Sequence, residues 1–169
     1  MNIAIHRVTV ASPEMADFVG AHHAEMQGTA PPESQHALTL DRLLTPRVRF
    51  FTGVVEGRIA ATGALAVVEE GHEELKSMRT DPALRGRGFG RAMLDHLLDD
   101  AAGRGVRRVS LETGRDPFFA PARAMYAAAG FREGPPFGTY LPDPHSAFLT
   151  TLLPASSEAT TRSHAIMNG

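Results

Sequence analysis

The sequence predicts an α/β domain in which a mixed, mostly antiparallel sheet of about six to seven strands carries helices on both faces. Strand-like and helix-like periodicities alternate along the chain. Three consecutive strands read as a meander with short turns, and the next elements follow as strand, helix and strand, the order of a parallel crossover unit. With 169 residues, 43% of them hydrophobic and 21% charged, the chain is long enough to bury the core of one domain.

The first half of the chain reads as a strand, two helices and a hairpin. Polar and apolar residues alternate from Ile3 to Val10, which predicts a strand. Ser12 is placed to cap a helix that has a proline in its first turn and runs through "PEMADFVGAHHAEM". A loop rich in glycine and proline follows, and then a short helix is predicted from Leu38 to Leu44. Residues 47–70 predict a hairpin that turns near Glu56.

The second half begins with a third meander strand, Glu73 to Thr80, and the glycine-rich stretch "RGRGFG". An amphipathic helix follows, because its apolar residues recur every four positions, and we expect it to end at Gly103 or Gly105. The periodic residues are Phe89, Met93, Leu97 and Ala101.

Three more elements complete the predicted domain, which spans residues 1–153. They are a strand from Val106 to Thr113, a helix from Pro121 to Gly130 and a last strand from Ser146 to Leu153. Residues 154–169 are small and polar, which predicts a disordered tail.

Composition excludes several classes of function. A net charge of −2 gives no global field that would attract nucleic acid or an anionic membrane. The absence of cysteine removes a thiol nucleophile, disulfides and a cysteine zinc site. The pair His22-His23 lacks metal-ligand spacing, so no metal is expected. The N-terminal residues do not read as a signal peptide, and the longest apolar stretch is too short to cross a bilayer, so we expect a cytoplasmic protein.

The glycine stretch raises the question of which ligand it serves. A P-loop is excluded because no G-x-x-x-x-G-K-[ST] string is present. Gly86, Gly88 and Gly90 are spaced two apart and so do not match the dinucleotide pattern G-x-G-x-x-G, although Glu112 lies near where a ribose-binding acid would stand. Two interpretations of these residues remain. Either the stretch forms a cradle that binds a pyrophosphate at a helix N-terminus, or it is a tight loop with surface arginines.

Three neighbouring stretches together narrow the choice. "RGRGFGRAMLDHLL" resembles the R/Q-x-x-G-x-G/A signature of the GCN5-related N-acetyltransferase (GNAT) family, with Arg85, Gly88 and Gly90 at the signature positions. "ELKSMRTDPALR" resembles the strand that precedes this signature, and "PARAMYAAAGFRE" the helix and turn that follow it. Further stretches, among them "SLETG" and "DPHSAFLT", resemble a bacterial YsnE-like subgroup. The resemblance implies the GNAT fold.

The resemblance also implies an acyltransferase that uses acetyl-CoA as donor and a primary amine of a small molecule as acceptor. Direct attack in a ternary complex is favoured, since no cysteine could carry the acetyl group. The resemblance implies that Tyr126 protonates the departing thiolate and that the Met78 N–H stabilises the oxyanion. Without the resemblance, the sequence around Tyr126 predicts only an aromatic side chain packed in the core. The implied donor-binding residues are Met78, Arg79, Thr80, Arg85, Gly86, Arg87, Gly88, Phe89, Gly90 and Arg91.

One position departs from the family pattern. Many members have an asparagine seven residues before the tyrosine, whereas Phe119 stands there in this chain. We therefore leave Phe119 out of the expected site.

Polar residues scattered along the chain are the candidates for binding the acceptor. Lys76 and Arg79 lie beside the expected thioester position and could hold a substrate carboxylate, while Glu74 and Glu112 are candidate bases for the amine. A protein amine as acceptor, or a non-catalytic acetyl-CoA sensor, are the alternatives, and a homodimer is consistent with the family. Further candidate acceptor residues are Glu25, His36, Tyr140 and Ser146.

Overall fold

The computed structural model describes residues 2–155. Its elements follow the predicted order, with one additional short strand. The strands are β1 (Ala4–Val8), β2 (Val48–Val55), β3 (Arg58–Glu69), β4 (His72–Thr80), β5 (Arg108–Gly114), β6 (Arg132–Glu133) and β7 (Ser146–Leu152). The helices are α1 (Pro13–Met26), α2 (Leu40–Leu43), α3 (Phe89–Gly103) and α4 (Ala120–Ala128).

All seven strands form one sheet in the order β1-β2-β3-β4-β5-β7-β6. Every neighbouring pair is antiparallel except β4 and β5, which are parallel and joined through α3. The prediction of a mixed, mostly antiparallel sheet with one crossover unit is therefore confirmed.

Helices cover both faces of the sheet, as predicted. Adjacent strand residues point to opposite faces, and Phe50 and Phe51 show this division. Phe51 packs in the core below α3 and α4 with Leu65 and Leu97, whereas Phe50 packs in a second core with Phe18 of α1 and residues of α2. The sheet is thus apolar on both sides, and its central strands are buried.

Local signals explain where α1 starts and where α3 ends. The Ser12 side chain accepts a hydrogen bond from the Met15 N–H at 3.2 Å and so caps α1. At the end of α3, Gly105 adopts φ +85°, and the N–H of Val106 donates to the Ala101 carbonyl at 3.0 Å. This glycine termination delays β5, which begins at Arg108 rather than at the predicted Val106.

Other boundaries also differ from the predictions. The helix predicted at 38–44 is a single turn, since its leucines anchor in the core without extending the helix. β6 was not predicted, because two residues carry no periodicity and pair with β7 only through the tertiary fold. Of the predicted tail, residues 156–169 lie outside the described residues. Within residues 2–155, no helix has the length and apolar character that a membrane span needs.

The two central parallel strands separate and so create the opening that holds the site. β4 pairs with β5 only from His72 to Glu74. On its other side, the register with β3 steps from Ala64–Lys76 to Thr62–Arg79, so two β4 residues oppose one β3 residue. Ser77 in this bulge has φ +55°, a conformation that non-glycine residues seldom adopt. The second half of β4 therefore leaves β5 and presents one free edge.

Candidate active site

Two connected spaces occupy the opening between β4 and β5. We call the first the loop cleft; it has a volume of about 350 Å³ and is bounded by the end of β4, the glycine stretch 85–91 and α4. The second, the inner cavity, is about 110 Å³ and is bounded by β4, β5, the end of α1 and the loop before α2. The walls shared by both spaces are formed by His22, Met78, Phe119, Ala122 and Tyr126.

The glycine stretch offers a row of backbone donors to the loop cleft. Gly88 is the N-cap of α3 and leaves the first turn without a side-chain cap. Within residues 2–155, the backbone N–H groups of residues 86–91 donate no hydrogen bond. Together with the partial positive charge of a helix N-terminus, these unpaired donors suit an anion.

The glycines are required by backbone conformation and by space. Gly86 and Gly88 have φ values of +76° and +85°, which a side chain would strain. Gly90 has no such φ, but an added Cβ would lie 3.0 Å from the Thr80 Oγ1. The residues present therefore fit a pyrophosphate: open backbone donors, close approach, and arginines at both ends of the stretch.

Two of the predicted donor arginines share the carboxylate of Glu25 as partner. Glu25 on α1 contacts the Arg79 Nη2 at 2.5 Å and the Arg85 Nη2 at 3.0 Å, and the Arg79 guanidinium lies 4.3 Å from the Phe18 ring centroid. Burial alone would raise the pKa of Glu25, but Arg79 and Arg85 lower it below its usual value. Glu25, which we expected at the acceptor wall, thus lines the loop cleft and holds its arginines.

Tyr126 lies where the two spaces meet. Tyr126 is 5% exposed, and burial raises the pKa of its phenol above the usual range. The phenol therefore carries its proton at neutral pH. The aromatic ring also packs edge-on against Phe131 at 5.7 Å between centroids, so the catalytic and the packing interpretations of this residue are compatible.

Glu112 lies in the wall of the inner cavity, and the buried Ser146 supports it from behind. The Ser146 hydroxyl donates to the Glu112 Oε1 at 2.8 Å. Burial raises the pKa of Glu112, although this hydrogen bond acts in the opposite direction. No ion pair to Glu112 is found within residues 2–155. The charge of nearby Lys76 also acts to lower this pKa, but burial outweighs these effects, so Glu112 is a candidate proton acceptor.

Glu74, Lys76 and Tyr140 form a separate hydrogen-bonded cluster. The Lys76 Nζ donates to the Glu74 Oε1 at 3.1 Å and to the Tyr140 hydroxyl at 3.0 Å, and the Tyr140 hydroxyl donates to Glu74. The His36 ring packs edge-on against Tyr140 at 5.0 Å. Burial and the neighbouring Glu74 raise the pKa of the Tyr140 phenol. The ammonium of Lys76, like the guanidinium of Arg79, is thus already paired with a carboxylate of the chain.

His22 is a site residue that the sequence analysis missed. It lines both spaces, and burial together with nearby Arg79 lowers its pKa to about 4, so the ring is neutral at pH 7. Its helical spacing from Met15 and Phe18 places it on the buried stripe of α1, and this was the signal available. The neighbouring His23 instead contacts the Leu38 carbonyl through Nε2 at 2.8 Å.

A serine and histidine arrangement elsewhere in the sheet is structural. The His72 Nε2 lies 2.7 Å from the Ser110 Oγ, and its Nδ1 lies 3.7 Å from a Glu69 carboxylate oxygen. The spacing resembles that of a hydrolytic triad, but Ser110 is fully buried and also contacts the Thr150 hydroxyl at 2.7 Å. These contacts hold β4, β5 and β7 together at the short parallel pairing of β4 with β5.

Phe119 replaces a polar family residue and nevertheless borders the site. It lines both spaces, and a Cβ added to Gly114 would lie 2.4 Å from its ring. The ring therefore packs directly on the β5 backbone. No group of histidine, cysteine or acidic side chains within residues 2–155 could hold a metal ion.

Sequence comparison identifies relatives along most of the chain. The sequence model of the acetyltransferase (GNAT) family matches residues 15–131. The N-acetyltransferase YsnE of Bacillus subtilis is 37% identical over 90% of this chain and 100% of its own length. The N-acetyltransferase YedL of Escherichia coli is 40% identical over 86% of this chain and 92% of its own. An IAA acetyltransferase of Azospirillum brasilense is 38% identical over 88% of this chain and 96% of its own.

Solved structures share the fold. A Klebsiella pneumoniae protein described as an acyl-CoA N-acyltransferase superposes with a TM-score of 0.72 at 26% identity, covering 89% of this chain and 97% of its own. A Bacillus subtilis acetyltransferase, solved in complex with CoA, superposes with a TM-score of 0.67 at 15% identity, covering 90% and 100%.

Proposed function

The chain belongs to the GNAT acetyltransferase family and is an acyltransferase, and we propose that it moves the acetyl group of acetyl-CoA to a primary amine of a small molecule by direct attack in a ternary complex. The observation that carries the proposal is the meeting of two spaces at Met78 and Tyr126. One space offers unpaired backbone donors for a pyrophosphate, and the other holds Glu112, which forms no ion pair among the described residues.

Acetyl-CoA supplies the activated acetyl group as a thioester. The N–H groups of residues 86–91 bind the pyrophosphate, with Arg85, Arg87 and Arg91 around it. The free edge of β4, from Met78 to Thr80, accepts the pantetheine arm as an added strand. Support for this placement comes from the short pairing of β4 with β5, which leaves that edge without a partner strand.

The Met78 N–H stabilises the charge that develops on the thioester oxygen. It lies at the bulge of β4, where the register with β3 is interrupted. A donor that is already oriented loses no free energy to reorganisation during the reaction, which is why such groups stabilise oxyanions effectively.

Tyr126 protonates the departing thiolate. Its phenol keeps its proton at neutral pH because even the ordinary pKa of tyrosine, about 10, lies well above 7, and burial raises that pKa further. An ordinary thiol has a pKa of about 8.5, and the same buried surroundings make a thiolate more basic than in water. Proton transfer from the phenol therefore accompanies the collapse of charge onto sulfur.

Glu112 takes the proton that the ammonium group of the acceptor must lose before attack, directly or through one water. The nitrogen loses a second proton as the amide forms, and this proton restores Tyr126 after its phenol has protonated the thiolate. The raised pKa of Glu112 and the hydrogen bond from Ser146 suit a base that binds an ammonium group first and then accepts its proton. A substrate carboxylate is not part of this proposal. Lys76 and Arg79, the two cations expected to bind one, pair with Glu74 and Glu25.

Two measurements test the proposal. Calorimetry should show binding of acetyl-CoA and CoA, and no binding of NAD. Thiol release should then require both acetyl-CoA and an amine. If neither CoA species binds, the cradle interpretation is wrong. If acetyl-CoA binds but no amine releases CoA, the chain is a sensor and not an enzyme for small amines.

A further inference from the structure

A third space continues from the inner cavity toward the surface. This outer groove lies between β3, the loop before α2 and residues 137–143. It shares no lining residue with the loop cleft. Its common wall with the inner cavity consists of Gln35, His36, Ala37, Glu74 and Lys76. The three spaces therefore follow one another, and the inner cavity lies between the other two.

The sizes of these spaces limit where an acceptor can lie. The inner cavity is about 110 Å³, whereas the outer groove is about 1010 Å³. The inner cavity can take the amine-bearing end of an acceptor beside Glu112 and Tyr126. The larger outer groove, reached past the common wall, can take the remainder.

The outer groove has an apolar and aromatic part beside its charged and polar side chains. The Phe137 and Tyr140 rings lie 5.1 Å apart in an edge-to-face arrangement. Val67 and Leu141 at the rim are 42% and 79% exposed, and both line the groove. Exposed aliphatic side chains that converge on one depression, beside two aromatic rings, favour an apolar ligand group.

The charges along this path favour a cation at its inner end. Glu74 and Lys76 neutralise each other at the common wall, and Glu112 beyond them has no cationic partner. In the outer groove the ionised side chains are Glu33 and Asp143 against Arg42. The path from the surface to Glu112 thus carries more negative than positive charge.

We infer that the acceptor is an amphipathic amine, an ammonium group attached through a short chain to an aryl or alkyl group, and that the outer groove binds this apolar group. This inference rests on the proposed function and names its substrate class. Leu141 and Val67 then determine specificity without contacting the reacting atoms, and Glu112 receives the ammonium group.

Matched amines test the substrate class. Rates of CoA release are compared for ethylamine, pentylamine, 2-phenylethylamine and 4-aminobutyrate at one acetyl-CoA concentration. Burial of the additional apolar area should make kcat/KM for 2-phenylethylamine at least tenfold higher than for ethylamine, an order of magnitude based on area transfer. The kcat/KM for pentylamine should exceed that for 4-aminobutyrate, which has a carboxylate in place of the terminal ethyl group.

A pair of exposed leucines provides matched variants. Leu141→Asn should lower kcat/KM for 2-phenylethylamine about fivefold or more, with no change for ethylamine or in the KM of acetyl-CoA. Leu152 is 72% exposed and lines none of the three spaces, so Leu152→Asn should behave as wild type toward all four amines.

The outcomes separate the inference from the proposed function. Equal rates for all four amines, preference for 4-aminobutyrate, or equal effects of the two asparagine variants would overturn the inference and leave the acetyltransferase proposal intact. Faster acetylation of a lysine-containing peptide than of any small amine would overturn it in favour of a protein acceptor. Absence of acetyl-CoA binding would remove the proposed function and the inference together.

Discussion

The loop cleft and the inner cavity are built from different kinds of groups. The loop cleft presents the backbone of one continuous stretch, residues 86–91, where glycines keep the N–H groups accessible. The inner cavity presents side chains from separate elements, among them Glu112 on β5 and His36 in the loop before α2. The two meet only at a few shared walls, of which Tyr126 and His22 are the polar ones.

The difference predicts how each region responds to mutation. Backbone recognition depends on local conformation and on the absence of Cβ atoms, so it should affect every acceptor equally when it is disturbed. Side-chain recognition depends on packing between distant segments, so its disturbance should change turnover or selectivity and leave acetyl-CoA binding intact.

Tyr126→Phe should affect chemistry without affecting either binding step. Loss of a positioned proton donor typically reduces the rate by about 100-fold or more, and the ring packing is retained. Stopped-flow or steady-state CoA release gives kcat, and calorimetry gives the Kd of acetyl-CoA. Tyr140→Phe, at the only other tyrosine, is the control. If both variants lose the same activity, Tyr126 is not the acid.

Glu112→Gln should lower kcat by roughly 10- to 100-fold, because water replaces a positioned base only in part. The Kd of acetyl-CoA should not change, since Glu112 does not line the loop cleft. The comparison variant is Glu74→Gln, which disrupts the cluster with Lys76. A loss of kcat with Glu74→Gln and none with Glu112→Gln would reassign the base to Glu74.

His22 should make folding sensitive to acid. Its pKa of about 4 lies below the ordinary 6.5, so the unfolded chain binds a proton first, and stability is lost as the pH falls from 6.5 toward 4. At pH 5 this loss is about 2 kcal/mol. His22→Gln should reduce the difference in urea unfolding free energy between pH 7 and pH 5 by that amount. If the difference for His22→Gln equals that of the wild type, the assignment is wrong.

Gly88→Ala should weaken acetyl-CoA binding about tenfold, because a left-handed conformation costs a non-glycine residue about 1–2 kcal/mol. The KM of the amine should stay constant. Gly57 in the β2–β3 turn has a similar φ of +79° and similarly open surroundings, so Gly57→Ala separates general strain from lost ligand binding. Calorimetry that shows equal Kd values for the two variants would contradict the cradle.

Most of the fold was predictable, because its main elements carry strong local signals. The meander, the crossover through α3 and the glycine termination at Gly105 follow from periodicity and turn chemistry. Two boundaries failed for a common reason. β6 is only a pair of residues, and the helix at Leu40–Leu43 is a single turn, so packing and not propensity decides both.

The sequence by itself determined the position of the loop cleft, since a run of adjacent residues forms its backbone donors. Only the tertiary structure decided the acceptor side. Glu25 was expected at the acceptor wall, but α1 packs with Phe18 against Arg79, and Glu25 meets Arg79 and Arg85. Ser146 reaches Glu112 across 34 residues of chain. Contacts between side chains that are distant in sequence depend on how helices and strands pack, and local patterns carry no record of that packing.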